Sequence, residues 1–129
     1  MPYDSKFVDG DRGLHMTGSD VVTAQEILTA KRALDKDKLK QLAWAICDLK
    51  SVAELRLSPD EIRDIAALDV EMARMAPQVV VALVAPRADI YGLSRMWQVL
   101  VEDTGWVVAI FLSFDEAKTW VRTRTTPSV

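Results

Sequence analysis

Three stretches of the chain are apolar throughout: "LAWAIC" (42 to 47), "VVVALVA" (79 to 85) and "WVVAIFL" (106 to 112). Uninterrupted runs of this length, rich in Val and Ile, predict strands covered on both faces, as in a parallel sheet with helices above and below. The N-terminal pattern differs. "YDSKFV" and "LHMTG" flank "DGDRG", where Asp9-Gly10 is a turn signal, and Leu14 and Met16 alternate with His15 and Thr17 at the two-residue period of a half-buried strand. An antiparallel hairpin is expected there.

Between the strands, helix starts are marked by short polar signatures. "TAQE" from Thr23, "SPDE" from Ser58 and "SFDE" from Ser113 each match the S/T-x-x-E/Q capping box and open an amphipathic stretch. In that motif the hydroxyl takes the N–H of the third helical residue, and the glutamate reaches back to the N–H of the cap. The first helix is expected to run to about Leu34, burying Ile27, Leu28 and Leu34. The second carries Ile62, Ile65, Leu68, Met72 and Met75 at helical spacing and stops before Pro77. A third, after "PRADI", places Leu93, Met96, Trp97, Leu100 and Val101 on one face, with Gly105 as its stop. The last buries Phe114, Ala117, Trp120 and Val121, and the residues from 123 to 129 read as a frayed tail.

The order β-β-α-β-α-β-α-β-α predicts a single α/β domain with right-handed crossovers. Its sheet is mixed and five-stranded, an N-terminal antiparallel hairpin followed by three parallel strands, flanked by about four helices.

The stretch "VVALVAPRADIYGLSRMWQVLVEDTGWVVAIFLSFDEAKTWV" resembles the C-terminal half of the SpoIIAA-like group of bacterial proteins. The matching pieces are Tyr91, Gly92, Arg95, Met96 and Trp97 in a "YG-x-x-RMW" helix, then Glu116, Ala117 and Trp120 in an "EA-x-x-W" helix. "TGSDVVTAQEIL" and "AICDLKSVAELRLSPDEI" resemble the group's first half. The resemblance implies the fold of STAS domains and of anti-sigma-factor antagonists, and a role in binding rather than catalysis. In the antagonists a kinase phosphorylates a serine at the start of the helix after a central strand. By position Ser58 is the counterpart, although Pro59 follows it and the D-S-S/T-G-L hallmark is absent, with "KSVAELRL" read as a longer loop.

Composition narrows the function. With 129 residues, half of them apolar, the chain can bury one core. A net charge of −3 gives no footprint for nucleic acid, and no apolar run approaches the roughly 20 residues that insert into a bilayer. The "KDKLK" run, near the end of a predicted helix, reads as a solvated face. "MPYDSKF" lacks an apolar core and a cleavage-site pattern, so no signal peptide and a cytoplasmic location are expected. The single cysteine, Cys47, sits in an apolar run and reads as a small core residue. His15 is the only histidine, and neither a nucleophile elbow, a metal-ligand spacing nor a glycine-rich phosphate loop is present. No catalytic residue, metal or cofactor is therefore expected.

Three groups of residues remain as candidates. Ser58 is a helix cap or a phospho-switch. Asp48, Arg87 and Tyr91 stand at the carboxyl ends of predicted strands, where open α/β sheets place ligands. Met72, Met75, Met96 and Trp97 could line an apolar pocket or a dimer seam. Arg95 is expected to face solvent or pair with Glu102, and the four tryptophans to pack in the core. The function expected is a non-enzymatic module acting on another protein or on itself as a homodimer. The alternative is a carrier of a small apolar or amphipathic ligand held between sheet and helices. A cavity of several hundred Å³ would favour the carrier, and a filled core with an exposed apolar helix face the module.

Overall fold

A computed structural model describes residues 2–125. The chain folds as β1 (Tyr3–Val8), β2 (Gly13–Thr23), α1 (Ala24–Arg32), α2 (Lys36–Lys40), β3 (Trp44–Arg56), α3 (Pro59–Met75), β4 (Val80–Val84), α4 (Ala88–Leu100), a 3-10 turn (Glu102–Thr104), β5 (Val107–Phe111) and α5 (Phe114–Thr125). The five strands form one sheet in the order β1-β2-β3-β4-β5. β1 runs antiparallel to β2, and every later neighbour is parallel. The expected mixed α/β sheet with an N-terminal antiparallel edge is the fold observed, and α2 raises the helices to five.

Strand alternation distributes the side chains between two cores. Ala45, Cys47, Leu49, Val81 and Leu83 point into the main core, closed over by α1, α3 and α4. Ile46, Ala82 and Val84 point the other way, onto Ala117 and Val121 of α5. Covering both faces demands apolar residues at successive positions, which is why these strands read as unbroken apolar runs.

Several boundaries differ from the sequence reading. α1 ends at Arg32, and "KDKLK" is a helix of its own, α2, started by Asp35, whose side chain accepts from the N–H groups of Asp37 and Lys38. The strands β2 and β3 are much longer than their apolar runs. "KSVAELRL", read as a loop, continues β3 to Arg56 and pairs with β2 as far as Thr23. Of β3, only Trp44–Asp48 pair with β4, so the extension lies beyond β4 and its side chains turn mostly polar and exposed. Two register shifts, at Thr17/Ser19 and Asp20/Val21, break its alternation, with Asp20 at a left-handed φ of 54°. α5 continues to Thr125, beyond the tail expected from 123; Thr123 and Thr125 donate to the carbonyls of Thr119 and Val121. Positions 126 to 129 lie outside the described residues.

Along α4 and its cap, Ile90 and Val101 are fully buried, Ser94 is buried and Trp97 is half-buried, whereas Met96 and Leu100 are each 43 % exposed. The expected face was therefore drawn too far round. α4 is apolar on most of its circumference, so periodicity alone does not choose a side. Ser94 sits on the buried face because its hydroxyl donates to Ile90 O at 2.8 Å, which satisfies it within the helix.

The hairpin turn is built as its residues predict: Asp9, Gly10 and Asp11 all adopt positive φ, of 55°, 61° and 67°. At the start of β2, Gly13 has a steric role. A Cβ there would collide with the indole of Trp44, the paired residue on β3. Gly13→Ala is expected to lower stability by about 1–3 kcal/mol in denaturant unfolding. Trp44→Phe, which shortens the ring, should recover part of that loss in the double variant.

Candidate functional site

The residues expected at the sheet's carboxyl end do not form one crevice. Asp48 is 5 % exposed and shares its face of β3 with Ile46, towards α5. Its carboxylate accepts from Lys50 N at 3.1 Å and pairs with Lys50 Nζ at 3.0 Å. Arg87 and Tyr91 lie in the first turns of α4, on the opposite side of the sheet. Arg87 is exposed and holds Asp89 at 3.3 and 3.4 Å, an arrangement that lowers the pKa of that exposed carboxyl. Tyr91 is 41 % exposed. No hydrogen bond among the described residues links Asp48 to either.

Ser58 caps α3. Its Oγ accepts from Glu61 N at 3.1 Å, and its own N–H donates to Glu61 Oε1 at 2.9 Å, with Pro59 in the first turn. Thr23 builds the same box at α1 with Glu26. At Ser113 the hydroxyl accepts from Glu116 N and donates to its carboxylate. His15 lies on the α5 side, its ring 5.4 Å from that of Phe114, and its Nε2 is buried with no partner among the described residues.

The group that sequence reading missed is Asp69. It is fully buried on α3, yet both oxygens are engaged: Oδ1 by Lys31 Nζ at 2.8 Å and Oδ2 by Trp97 Nε1 at 2.8 Å. One carboxylate thus ties α1, α3 and α4 together. A signal was available. Asp69 stands four residues after Ile65 and three before Met72, on the stripe those residues bury. A lone acid on an apolar stripe needs partners, and Lys31 and Trp97 supply them.

Beside Asp69 lies a cavity of about 100 Å³ between the sheet and the helices, lined among others by Met16, Cys47, Asp69, Met72, Trp97 and Trp106. Met72 and Trp97 were expected there. Met75 is half-buried against the core, outside the lining, and Met96 faces outward. On the sheet side, Tyr3 Oη donates to Met16 Sδ at 3.4 Å and lies 3.7 Å from Cys47 Sγ. Burial, first of all, pushes the Tyr3 hydroxyl well above its usual pKa, and raises the Cys47 thiol to about 11. A thiol so protonated and enclosed is a core group rather than a nucleophile.

The outward side of α4 is the other unusual surface. Tyr91, Met96, Val99 and Leu100 are exposed on it, at 41, 43, 56 and 43 %. Arg95 lies beside them and hydrogen-bonds Gln98 rather than pairing with Glu102. Gln98 in turn donates to Val108 O at 3.0 Å, occupying a carbonyl of the edge strand β5. No three His, Cys, Asp or Glu side chains converge as a metal site among the described residues, and no described helix is long and apolar enough to cross a membrane.

Two solved structures share this architecture. An uncharacterised protein of the DUF3478 family with a SpoIIAA-like fold, from Shewanella loihica PV-4, superposes with a TM-score of 0.60 at 14 % identity, over 92 % of this chain and 91 % of its own. The anti-sigma-factor antagonist SpoIIAA in its unphosphorylated form superposes with a TM-score of 0.58 at 11 % identity, over 93 % and 97 %. The chain therefore has a SpoIIAA-like fold. No protein-family model and no curated protein matches it.

Two outcomes are expected from this chemistry. Lys31→Met leaves a buried carboxylate short of its cation and should cost about 3–5 kcal/mol in denaturant unfolding, whereas Lys31→Met with Asp69→Leu should restore most of the loss. For Cys47, the unfolded thiol titrates near 9 and the folded one near 11. Its contribution is complete below about pH 9 and is lost as pH rises to about 11, by at most ~3 kcal/mol. Cys47→Ala should flatten the alkaline fall in stability over that window.

Proposed function

We propose that the protein is a cytoplasmic, non-enzymatic module that acts by binding another protein or a second copy of itself. The observation that carries the reading is the outward face of α4, where Met96, Val99 and Leu100 present apolar surface that no described element covers. Scattered apolar exposure is ordinary, but several large side chains on one helix face make a contiguous patch. The groups that could do chemistry point the same way. Asp48 is held by Lys50, Asp69 by Lys31 and Trp97, and the Cys47 thiol is raised in pKa and enclosed. The SpoIIAA-like fold adds a regulatory sense to the binding role, since one solved structure of that fold is an anti-sigma-factor antagonist.

The cavity supports a second reading, a carrier of a small apolar or amphipathic ligand, because methionine and tryptophan line it. Its volume of about 100 Å³ is the weaker support: pockets for small-molecule ligands run to roughly 300–1,000 Å³.

Native mass spectrometry of freshly purified protein separates the two. A protein assembly of fixed stoichiometry is expected, and Met96→Glu and Leu100→Glu should each weaken it at least about tenfold while leaving the thermal midpoint unchanged. An added small mass on a monomer supports the carrier instead. A bare monomer, both purified and in lysate, sinks the module.

A further inference from the structure

We infer that α4 pairs antiparallel with α4 of a second copy of the chain, Arg95 of each set against Glu102 of the other across a centre of Met96 and Val99. This rests on the interaction-module reading and names its partner.

At 100° per residue, Gly92, Met96 and Val99 form a stripe opposite the inward Ile90, Ser94, Trp97 and Val101. Arg95 lies on one flank of that stripe, and Glu102, exposed in the 3-10 turn that follows the buried Val101, comes up on the same side seven residues on. At that separation they do not meet within one chain: Arg95 bonds Gln98, and no described cation pairs with Glu102 or Asp103. When two helices pack face to face with opposite directions, each flank meets the same flank of its mate. A two-fold axis between Gln98 and Val99, midway from Arg95 to Glu102, then brings Arg95 to the partner's Glu102 twice, once at each end of the apolar centre. A parallel pairing would set that flank against the opposite one, whose only acid in α4, Asp89, is already held by Arg87. The surface is thus complementary in charge to itself in one orientation.

Gly92 fits the same pairing. It is an exposed residue inside α4, and a Cβ added there meets nothing within 4 Å, so nothing in the single chain calls for glycine. Glycine inside a helix costs roughly 0.5–1 kcal/mol relative to alanine. In the antiparallel pair the end of the partner's turn, at Thr104–Gly105, passes over Gly92, and the missing side chain gives it room. Strand pairing through β5 is the competing route to a dimer, and there Gln98 already occupies Val108 O.

One pair of 13-residue helices buries less than a standard interface of roughly 1,600 Å², so the dimer is of micromolar rather than nanomolar strength. Sedimentation equilibrium over a series reaching millimolar protein tests it. Wild type should dimerise, Arg95→Glu and Glu102→Arg should each weaken the dimer about tenfold, and the double reversal should return to within about threefold of wild type. All these side chains are exposed, and thermal melting verifies that each variant folds. Single reversals that change nothing, or a double that does not recover, overturn the pairing. If Met96→Glu abolishes assembly while the reversals leave it intact, the stripe is a docking surface but not in this arrangement, and only the present inference fails. A wild type that stays monomeric throughout also overturns it, leaving the module reading to depend on a different protein.

Discussion

A carboxylate with no exposure, held by an ammonium on one oxygen and an indole on the other, is the point from which the helical layer is organised. Asp69 places α1, α3 and α4 relative to one another by two bonds of 2.8 Å, which dispersion among Leu, Ile and Met side chains cannot do with the same directionality. Apolar contacts supply the larger part of the driving force, but they tolerate sliding. The ion pair removes that freedom. It also explains how the layer keeps its position over a cavity, where the contacts that would otherwise fix it are missing.

The same tie constrains α4. Trp97 is drawn inward to donate to Asp69, and this fixes the rotation of the helix about its axis. Val99, two residues on, then falls on the opposite side of the helix and Met96, the residue before, about 100° round, so both face out. The exposed apolar stripe is in that sense a consequence of the buried polar group, not an independent feature of the surface. Satisfaction of one buried charge and presentation of one exposed apolar face are coupled through a single indole.

The strand order, the parallel sense of the sheet and the helix starts were legible because each depends on local letters: apolar runs for strands buried on both faces, and S/T-x-x-E for α1, α3 and α5. What was not legible depends on partners distant in sequence. β3 beyond Asp48 loses its apolar signature because one face there is uncovered, so it reads as a loop. The inward side of α4 is settled by Asp69, 28 residues earlier, and not by its own periodicity. For the candidate site, Met72 and Trp97 lie at the cavity wall and Met96 on the outer surface of α4. Asp48 is parted from Arg87 and Tyr91 because alternation along β3 turns it to the other side of the sheet.

The overhang of β2 and β3 has a mechanical meaning. Past Asp48 the sheet narrows, β3 keeping only β2 as a neighbour, with two register shifts along the pair. Helix α3, which carries Asp69, is strung from the far end of that ribbon. A two-stranded ribbon opens at less free energy than the core of a sheet. Here the main core holds the ribbon down: Val22 and Val52 are 0 and 2 % exposed, and Ile62 in the first turn of α3 is 1 % exposed, so the overhang carries the start of α3 past β4 while staying anchored.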